Sequence, residues 1–265
     1  MNEKVLVVKK LSKTYGTKQV VNQVDLSIEK GSFTAILGPN GAGKSTTIAM
    51  LSTLTQATSG DIYYDGLAIQ EHLRQVRPKI GIVFQNSVLD EALSVKQNLS
   101  IQAGLYKNIS QDRIDEVITL TSLTGILKQP VSQLSGGQKR RVDIAVSVLH
   151  QPEILFLDEP TTGLDIQTRL AIWEVLQNMK VKEAMTIVLT THYLEETNVA
   201  DNVYIINSGE IIANGSAKEL IQRYTQEILT IESGDLVGIC KTLGLKNEQL
   251  PLSLACPDAQ TAIKL

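Results

Sequence analysis

One run of this sequence has the residue types and spacing of a phosphate-binding loop. Residues 38–45 (GPNGAGKS) fit the pattern G-x-x-x-x-G-K-[S/T], and they lie between an apolar strand and a helix, as the pattern requires. Glycines let the backbone wrap round an anion, so that several N–H groups and the helix N-terminus point at phosphate oxygens. Lys44 can then reach the β and γ phosphates of a nucleotide, and the Ser45 hydroxyl can ligate Mg²⁺.

Two adjacent carboxylates follow a second apolar strand. Asp158 and Glu159 come directly after residues 154–157 (ILFL), so both emerge at the carboxyl edge of a sheet, where open α/β folds bind their ligands. Because adjacent strand residues point in opposite directions, one carboxylate can face a metal while the other faces a water. Asp158 is therefore predicted to ligate Mg²⁺, and Glu159 is predicted to act as general base.

A second glycine pair precedes these carboxylates by about twenty residues. In the run 134–138 (LSGGQ), Ser135, Gly136 and Gly137 begin a predicted helix, whose N-terminus is a further site for phosphate. The chain thus has two separate devices for holding the phosphates of one nucleotide.

The elements that must position these residues alternate between strand and helix, which predicts an α/β fold with a parallel core sheet. Residues 1–35 predict a partly antiparallel sheet, and residues 86–150 an inserted helical subdomain, in which Ser94 begins a capping box and Ser110 caps a second helix. Strands are predicted at 5–8, 24–28, 33–37, 61–64, 80–84, 154–158, 186–191, 203–206 and 210–213, and helices at 44–55, 94–103, 110–118, 135–151, 166–180 and from 194.

Length predicts one main domain over residues 1–222, with a short C-terminal extension over 223–265. In the extension, residues 227–232 could form a strand and 235–243 a short helix, and no residue there indicates chemistry. The role of the extension is left open by the sequence.

Composition is that of a soluble globular protein, with 43% hydrophobic and 20% charged residues. No apolar run approaches the length of a membrane span, and the N-terminus lacks a signal-peptide core, so we expect a cytoplasmic chain. A net charge of −3 predicts no nucleic-acid partner. Cys240 and Cys256 are interpreted as reduced thiols. The basic run 139–141 (KRR) is interpreted as a solvated helix face.

In these motifs the chain resembles the nucleotide-binding subunits of ATP-binding cassette (ABC) transporters, over residues 4–220. Residues 134–138 match the family's signature motif, and 38–45 and 154–159 match its two Walker motifs. Gln85 matches the Q-loop glutamine, His192 the switch histidine, and residues 163–165 (GLD) the D-loop. Tyr15 matches the aromatic residue that stacks on adenine, with Val20 beside the ribose.

The resemblance implies a P-loop NTPase core that uses ATP and Mg²⁺. It implies catalytic roles for Lys44, Glu159, Asp165 and His192, and metal ligation by Ser45, Gln85 and Asp158. It implies a nucleotide site made of Tyr15, Val20, Gly38, Pro39, Asn40, Gly41, Ala42, Gly43, Lys44, Ser45, Thr46, Gln85, Ser135, Gly136, Gly137 and Gln138.

Partners also follow from the resemblance. In this family two cassettes pair head to tail, so that the signature of one closes over the ATP of the other. Because this chain has one copy of each motif, it needs a second copy of itself or a paralogue. The expected role is a peripheral ATPase, at the cytoplasmic face of a membrane, that serves a separate integral permease. The segments 83–90 and 190–196 resemble those of exporters for drugs, polysaccharides or lipids.

Two alternatives remain open on the sequence alone. One is a soluble cassette that acts on ribosomes or nucleic acid, although the chain lacks both the fused second cassette and the long coiled coil of those relatives. The other is a nucleotide-gated switch that does not hydrolyse. Neither the transported substrate nor the identity of the second cassette can be inferred.

Overall fold

The computed structural model describes residues 3–224, 227–231 and 252–256. The chain divides into two compact units, Met1–Ala217 and Lys218–Leu265. The predicted domain limits at 222 and 223 stay predictions.

The first unit is built round a six-stranded sheet with the strand order β10-β9-β3-β8-β7-β6. Neighbouring strands from β9 to β6 are parallel, and β10 is an antiparallel edge strand. This confirms the predicted α/β class and parallel core. The strands are β3 (Phe33–Leu37), β6 (Ile80–Val83), β7 (Ile154–Asp158), β8 (Thr186–Thr191), β9 (Asn202–Asn207) and β10 (Glu210–Gly215).

A second, four-stranded sheet is antiparallel and has the order β2-β1-β4-β5. Its strands β1 and β2 are longer than predicted, since they continue through several register shifts. The strands are β1 (Lys4–Tyr15), β2 (Lys18–Glu29), β4 (Ser59–Tyr64) and β5 (Leu67–Ala68).

Helices occupy segments between and after these strands, and three of them lie within residues 86–150, where helical structure was predicted. Ser94 forms the predicted capping box and Ser110 the predicted N-cap. The predicted helix over 44–55 ends earlier, because Thr53 adopts a left-handed backbone (φ 66°). The predicted helix from 194 is a 3₁₀ helix over Leu194–Val199. The helices are α1 (Lys44–Leu51), α2 (Leu73–Val76), α3 (Val95–Gly104), α4 (Gln111–Leu120), α5 (Gly136–Val148), α6 (Ile166–Glu183) and α7 (Ala217–Tyr224).

Helix α1 lies in the core that the two sheets share. One cluster of buried side chains joins Val5 on β1, Ile48 on α1 and Phe156 on β7. Strands β3, β7 and β8 are buried along almost their whole length, as expected for parallel strands covered by helices. The ends of β3 and β7 and the start of α1 are therefore held rigidly together.

The second unit contains an antiparallel pair, β11 (Glu227–Ile231) and β12 (Leu252–Cys256). The predicted strand over 227–232 is thus found, whereas the predicted helix over 235–243 lies outside the described residues. Within the ranges that the structure describes, no helix is long and apolar enough to cross a bilayer.

Candidate nucleotide-binding site

The predicted phosphate loop connects β3 to α1. Gly43 is the N-cap of α1 with a left-handed backbone (φ 101°), and a Cβ atom there would lie 2.7 Å from the Val20 carbonyl oxygen. Glycine is required at this position because both the conformation and the space exclude a side chain. The loop can therefore present its N–H groups at the N-terminus of α1.

Lys44 lies inside this loop, with only 4% of its surface exposed. Its ammonium group donates to the carbonyl oxygens of Gly38 (2.9 Å) and Pro39 (3.1 Å), and it lies 3.0 Å from Oε1 of Glu159. One cation thus joins the phosphate loop to the carboxylate that follows β7. It is placed where the negative charge of a nucleotide would be bound.

Ser45 and Asp158 have the geometry of a magnesium site. The Ser45 hydroxyl donates to Oδ1 of Asp158 (3.0 Å), which also accepts from the Thr190 hydroxyl (2.6 Å). Neighbouring ligands of an octahedral Mg²⁺ lie about 3.0 Å apart, since each is about 2.1 Å from the metal. No cluster of three or more His, Cys, Asp and Glu side chains occurs in the described residues. The donor set fits Mg²⁺, which in nucleotide sites is held by few protein ligands, with phosphate and water completing the shell.

Glu159 is buried and placed to act as a base. Its Oε2 accepts from the Thr162 hydroxyl (3.2 Å), and its backbone N–H donates to the Thr190 hydroxyl (3.0 Å). Burial by itself would raise the pKa of Glu159, but the hydrogen bond and charge of Lys44 hold it below the ordinary value. The carboxylate is therefore ionised at neutral pH, as a proton acceptor must be.

His192 follows β8 and faces the same carboxylate. Its Nδ1 lies 3.6 Å from Oε2 of Glu159, too far for a hydrogen bond. Within the described residues Nδ1 is buried and has no hydrogen-bond partner. The ring contacts that of Tyr193, at 4.0 Å between centroids and 39° between ring planes.

Lys44, Ser45, Glu159 and His192 line one cleft of about 500 Å³. Two of its residues were not predicted from sequence, Lys18 and Thr162, since neither belongs to a recognisable motif. Thr190, which bonds Asp158, was also missed, because it is one of three threonines in β8 and nothing in the sequence distinguishes it. The cleft is lined by Lys18, Val20, Asn40, Gly41, Gly43, Lys44, Ser45, Thr46, Gln85, Glu159, Thr162 and His192.

Some predicted site residues do not line this cleft. Gly38, Pro39 and Asp158 are hydrogen-bonded to residues that do, namely Lys44 and Ser45, and Ala42 is a buried residue of the phosphate loop. Tyr15 is half-exposed, with the Lys13 ammonium 5.0 Å from its ring centroid. Asp165 is the N-cap of α6, where its carboxylate accepts from the Thr168 N–H (3.0 Å) and hydroxyl (2.6 Å). These hydrogen bonds hold the pKa of Asp165 below its ordinary value. The four signature residues Ser135, Gly136, Gly137 and Gln138 do not line the cleft either.

The signature residues form the N-terminus of α5. The Ser135 hydroxyl accepts from the Gln138 N–H (3.3 Å), and the Ser135 N–H donates to Oε1 of Gln138 (2.9 Å), which makes a capping box. Gly137 faces Thr168, and a Cβ atom on it would lie 2.0 Å from the Thr168 Cγ2. Within one chain, the signature therefore packs against the start of α6.

We expect Gly137→Ala to lower the free energy of unfolding by about 1–3 kcal/mol, because Asp165 holds Thr168 in place against the added methyl group. Adding Thr168→Ser, which removes Cγ2 and keeps the hydroxyl, should recover most of that loss. Denaturant unfolding of both variants measures this. Gly104→Ala is the matched control, since a Cβ atom there meets nothing within 4 Å. Equal stability of Gly137→Ala and wild type would contradict the clash.

The interpretation of the basic run 139–141 as a solvated face is wrong for Arg140. Its side chain is 9% exposed and donates to the carbonyl oxygens of Phe84 (2.5 Å) and Gln85 (2.8 Å). Asp143, one turn further along, accepts from the Ser87 hydroxyl (2.7 Å), and burial raises the pKa of its carboxyl group. Sequence reasoning missed this contact because the loop that meets α5 is about fifty residues away in the chain.

The fold and the cleft together define a P-loop nucleotide hydrolase. Comparison with known proteins refines this class. The ABC transporter family matches residues 21–162. The daunorubicin resistance ATP-binding protein DrrA3 of Streptomyces coeruleorubidus is 38% identical over 224 residues, which cover 83% of this chain and 71% of that protein. The Nod factor export ATP-binding protein I of Ralstonia nicotianae is 38% identical over 221 residues, which cover 82% and 68%.

A solved structure agrees with these relatives. The dimeric, post-hydrolysis ATP-binding cassette MJ0796, bound to ADP and Pi, is similar with a TM-score of 0.72 and 28% identity, covering 80% of this chain and 98% of that chain. The chain belongs to the ABC transporter family, and it is an ATP-binding subunit that hydrolyses ATP. The predicted family, fold and enzyme class are confirmed.

Proposed function

We propose that the chain binds Mg-ATP in the cleft and hydrolyses it to drive export through a separate permease. The observation that carries this proposal is that Lys44, Ser45 and Glu159 line one cleft, where Lys44 pairs with Glu159 and Ser45 is hydrogen-bonded to Asp158. Two of the relatives are named for drug resistance and for Nod factor export, which favours an exporter. The permease selects the exported substrate.

Different residues of the site have different roles in the proposed reaction. The N–H groups of the loop and the Lys44 ammonium bind the phosphates, and the Glu159 carboxylate takes the proton of the attacking water. His192 contacts the γ-phosphate. Ser45, Asp158 and Gln85 hold Mg²⁺, which neutralises charge on the phosphates when bound.

A second cassette completes the site. Ser135, Gly136 and Gly137 lie at a helix N-terminus but outside the chain's own cleft, so they are available to the nucleotide of another subunit. The positive end of α5 then attracts the γ-phosphate of the ATP bound by the other subunit. Loss of that γ-phosphate on hydrolysis loosens the dimer. The partner is a second copy of the chain or a paralogue.

The permease docks on the helical subdomain beside Gln85, at the cytoplasmic face of the membrane. Large apolar side chains are exposed there, with Val88 at 70%, Ile101 at 56% and Leu105 at 72%. Ile101 on α3 and Leu105, the C-cap of α3, are four residues apart and lie on one side of the helix. The loop after β6 is tied to α3, since the Asp90 N–H donates to Oδ1 of Asn98 (2.9 Å). Such a patch indicates a contact with another protein.

We expect Val88→Asp to lose the permease during affinity purification of the tagged chain from detergent-solubilised membranes, because a charge in an apolar contact is costly to desolvate. Val181→Asp is the control, since Val181 is similarly exposed (78%) but lies on α6. Mass spectrometry should find one polytopic membrane protein, near equal amount, with wild type and Val181→Asp only. If no polytopic membrane protein were found in any sample, and ribosomes or nucleic-acid-binding proteins were recovered instead, the proposed function would be overturned.

A further inference from the structure

The loop that carries Gln85 is held by a side chain of the signature helix. Residues 85–88 make no backbone-to-backbone hydrogen bond within the described part of the chain. Their position depends instead on α5: Arg140 donates to the carbonyl oxygens of Phe84 and Gln85, and Asp143 accepts from Ser87. Three hydrogen bonds between one face of α5 and residues 84–87 therefore hold a loop whose residues 85–88 make no backbone-to-backbone hydrogen bonds in the described part of the chain.

The shape of the arginine side chain suits this contact. A guanidinium group is planar and presents its donors as a rigid fork, so that two carbonyl oxygens are bound in one fixed geometry. Arg140 is buried, and its Nη1 lies 3.8 Å from Oδ2 of Asp143 on the next turn, so its charge is balanced where it meets the loop. A lysine would carry the same charge but would lack the two fixed, coplanar N–H donors.

This contact lies between the two halves of the proposed site. Arg140 is five residues from Ser135, which is about 7.5 Å along the axis of α5. The Arg140 guanidinium donates to the carbonyl oxygen of Gln85, and Gln85 lines the same cleft as Ser45. One short, rigid helix thus joins the signature, which faces the second cassette, to the glutamine of the chain's own cleft.

We infer that Arg140 is a positioning residue for ATP hydrolysis, which acts by fixing the backbone of Gln85 and so directing its side chain towards Mg²⁺. This inference rests on the role of Gln85 in the proposed function. Arg140 itself does not line the cleft that is proposed to hold the nucleotide and the metal. Removing its two hydrogen bonds should weaken the use of Mg²⁺ more than the binding of nucleotide.

The test has two readouts on the full chain: calorimetric binding of ATP with and without Mg²⁺, and steady-state ATP hydrolysis as a function of both ATP and free Mg²⁺. Loss of an outer contact to a metal ligand typically reduces metal affinity or activity by about 10–100-fold. Arg140→Gln should weaken the tightening of ATP binding by Mg²⁺, and should raise the Mg²⁺ concentration for half-maximal rate or lower kcat by such a factor. ATP binding without Mg²⁺ and KM for ATP should change little. Arg140→Lys should recover part of the loss and serves if the glutamine variant is poorly folded. Arg141→Gln, which loses only a bond to the Ser122 carbonyl (3.2 Å), should stay near wild type.

A double-mutant cycle separates positioning from general stability. In a Gln85→Ala background, Arg140→Gln should have little further effect on Mg²⁺ dependence, because the side chain that it positions is gone. Additive effects of the two changes, or equal effects of Arg140→Gln and Arg141→Gln, would overturn the inference while the proposed role of Gln85 stands. If Gln85→Ala itself left the Mg²⁺ dependence unchanged, the proposed role of Gln85 would fall, and this inference with it.

Discussion

Glu159→Gln is expected to keep ATP binding and to lose hydrolysis by roughly 10²–10⁴-fold, the usual contribution of a general base. The structure supports this size of effect because the Glu159 carboxylate is buried, is ionised through Lys44, and faces the cleft. The amide keeps the volume and can still accept from Thr162, but it cannot take a proton from water. ATP binding by filtration or calorimetry, and single-turnover hydrolysis, measure the two quantities.

A matched control exists for the loss of an ion pair. Glu153→Gln also removes a carboxylate from a lysine, since Glu153 Oε1 lies 2.9 Å from the Lys79 ammonium, outside the cleft. Its hydrolysis rate should stay within a few-fold of wild type. Hydrolysis by Glu159→Gln at close to the wild-type rate would show that another group accepts the proton.

The second large effect is expected at the signature. Ser135→Arg should leave ATP binding to the single chain almost unchanged but abolish ATP-dependent dimerisation, because a long side chain would fill the space at the α5 N-terminus where the other subunit's γ-phosphate must lie. Sedimentation or sizing with ATP, in a Glu159→Gln background that prevents turnover, gives the dimer fraction directly.

The control for this change is another capping box in the same chain. Ser94→Arg removes the N-cap of α3, which has the same geometry as that of α5, at a similar cost in stability of about 1 kcal/mol. Ser94→Arg should still dimerise with ATP if it folds. A dimer formed by Ser135→Arg, or lost equally in both variants, would count against a site shared between subunits.

Much of the fold could be predicted because its signals are local. β7 and β8 were predicted with their observed limits, since each contains a short apolar run (154–157 and 187–189), flanked in β8 by threonines, which favour strands. The capping box at Ser94 follows from its pairing with Gln97 three residues on, and the N-cap at Ser110 from the preference of serine for that position. The end of α1 was predicted too late because the left-handed backbone at Thr53 depends on packing rather than on residue type.

The candidate site was predictable only in part. Lys44, Asp158, Glu159 and His192 lie together, as motifs in a fixed order along an α/β sheet require. Thr162 and Thr190, which hold the two carboxylates, carry no signal of their own, because a hydroxyl side chain occurs in many loops and strands. Arg140 was interpreted wrongly, since helical periodicity cannot show which loop will cover a given face.

The sequence by itself therefore determined the chemistry of this protein: a phosphate loop, two carboxylates after a strand, and a second glycine pair at a helix start. These depend on spacing within a single strand, loop or helix turn, and so they can be read along the chain. Only the tertiary structure decided which distant groups come into contact. Lys44 pairs with Glu159 across more than a hundred residues, and Arg140 reaches the carbonyl group of Gln85, because packing of the sheet and α5 brings distant backbone together. It also decided that the signature lies outside its own cleft, since α5 packs against the start of α6 rather than beside the phosphate loop.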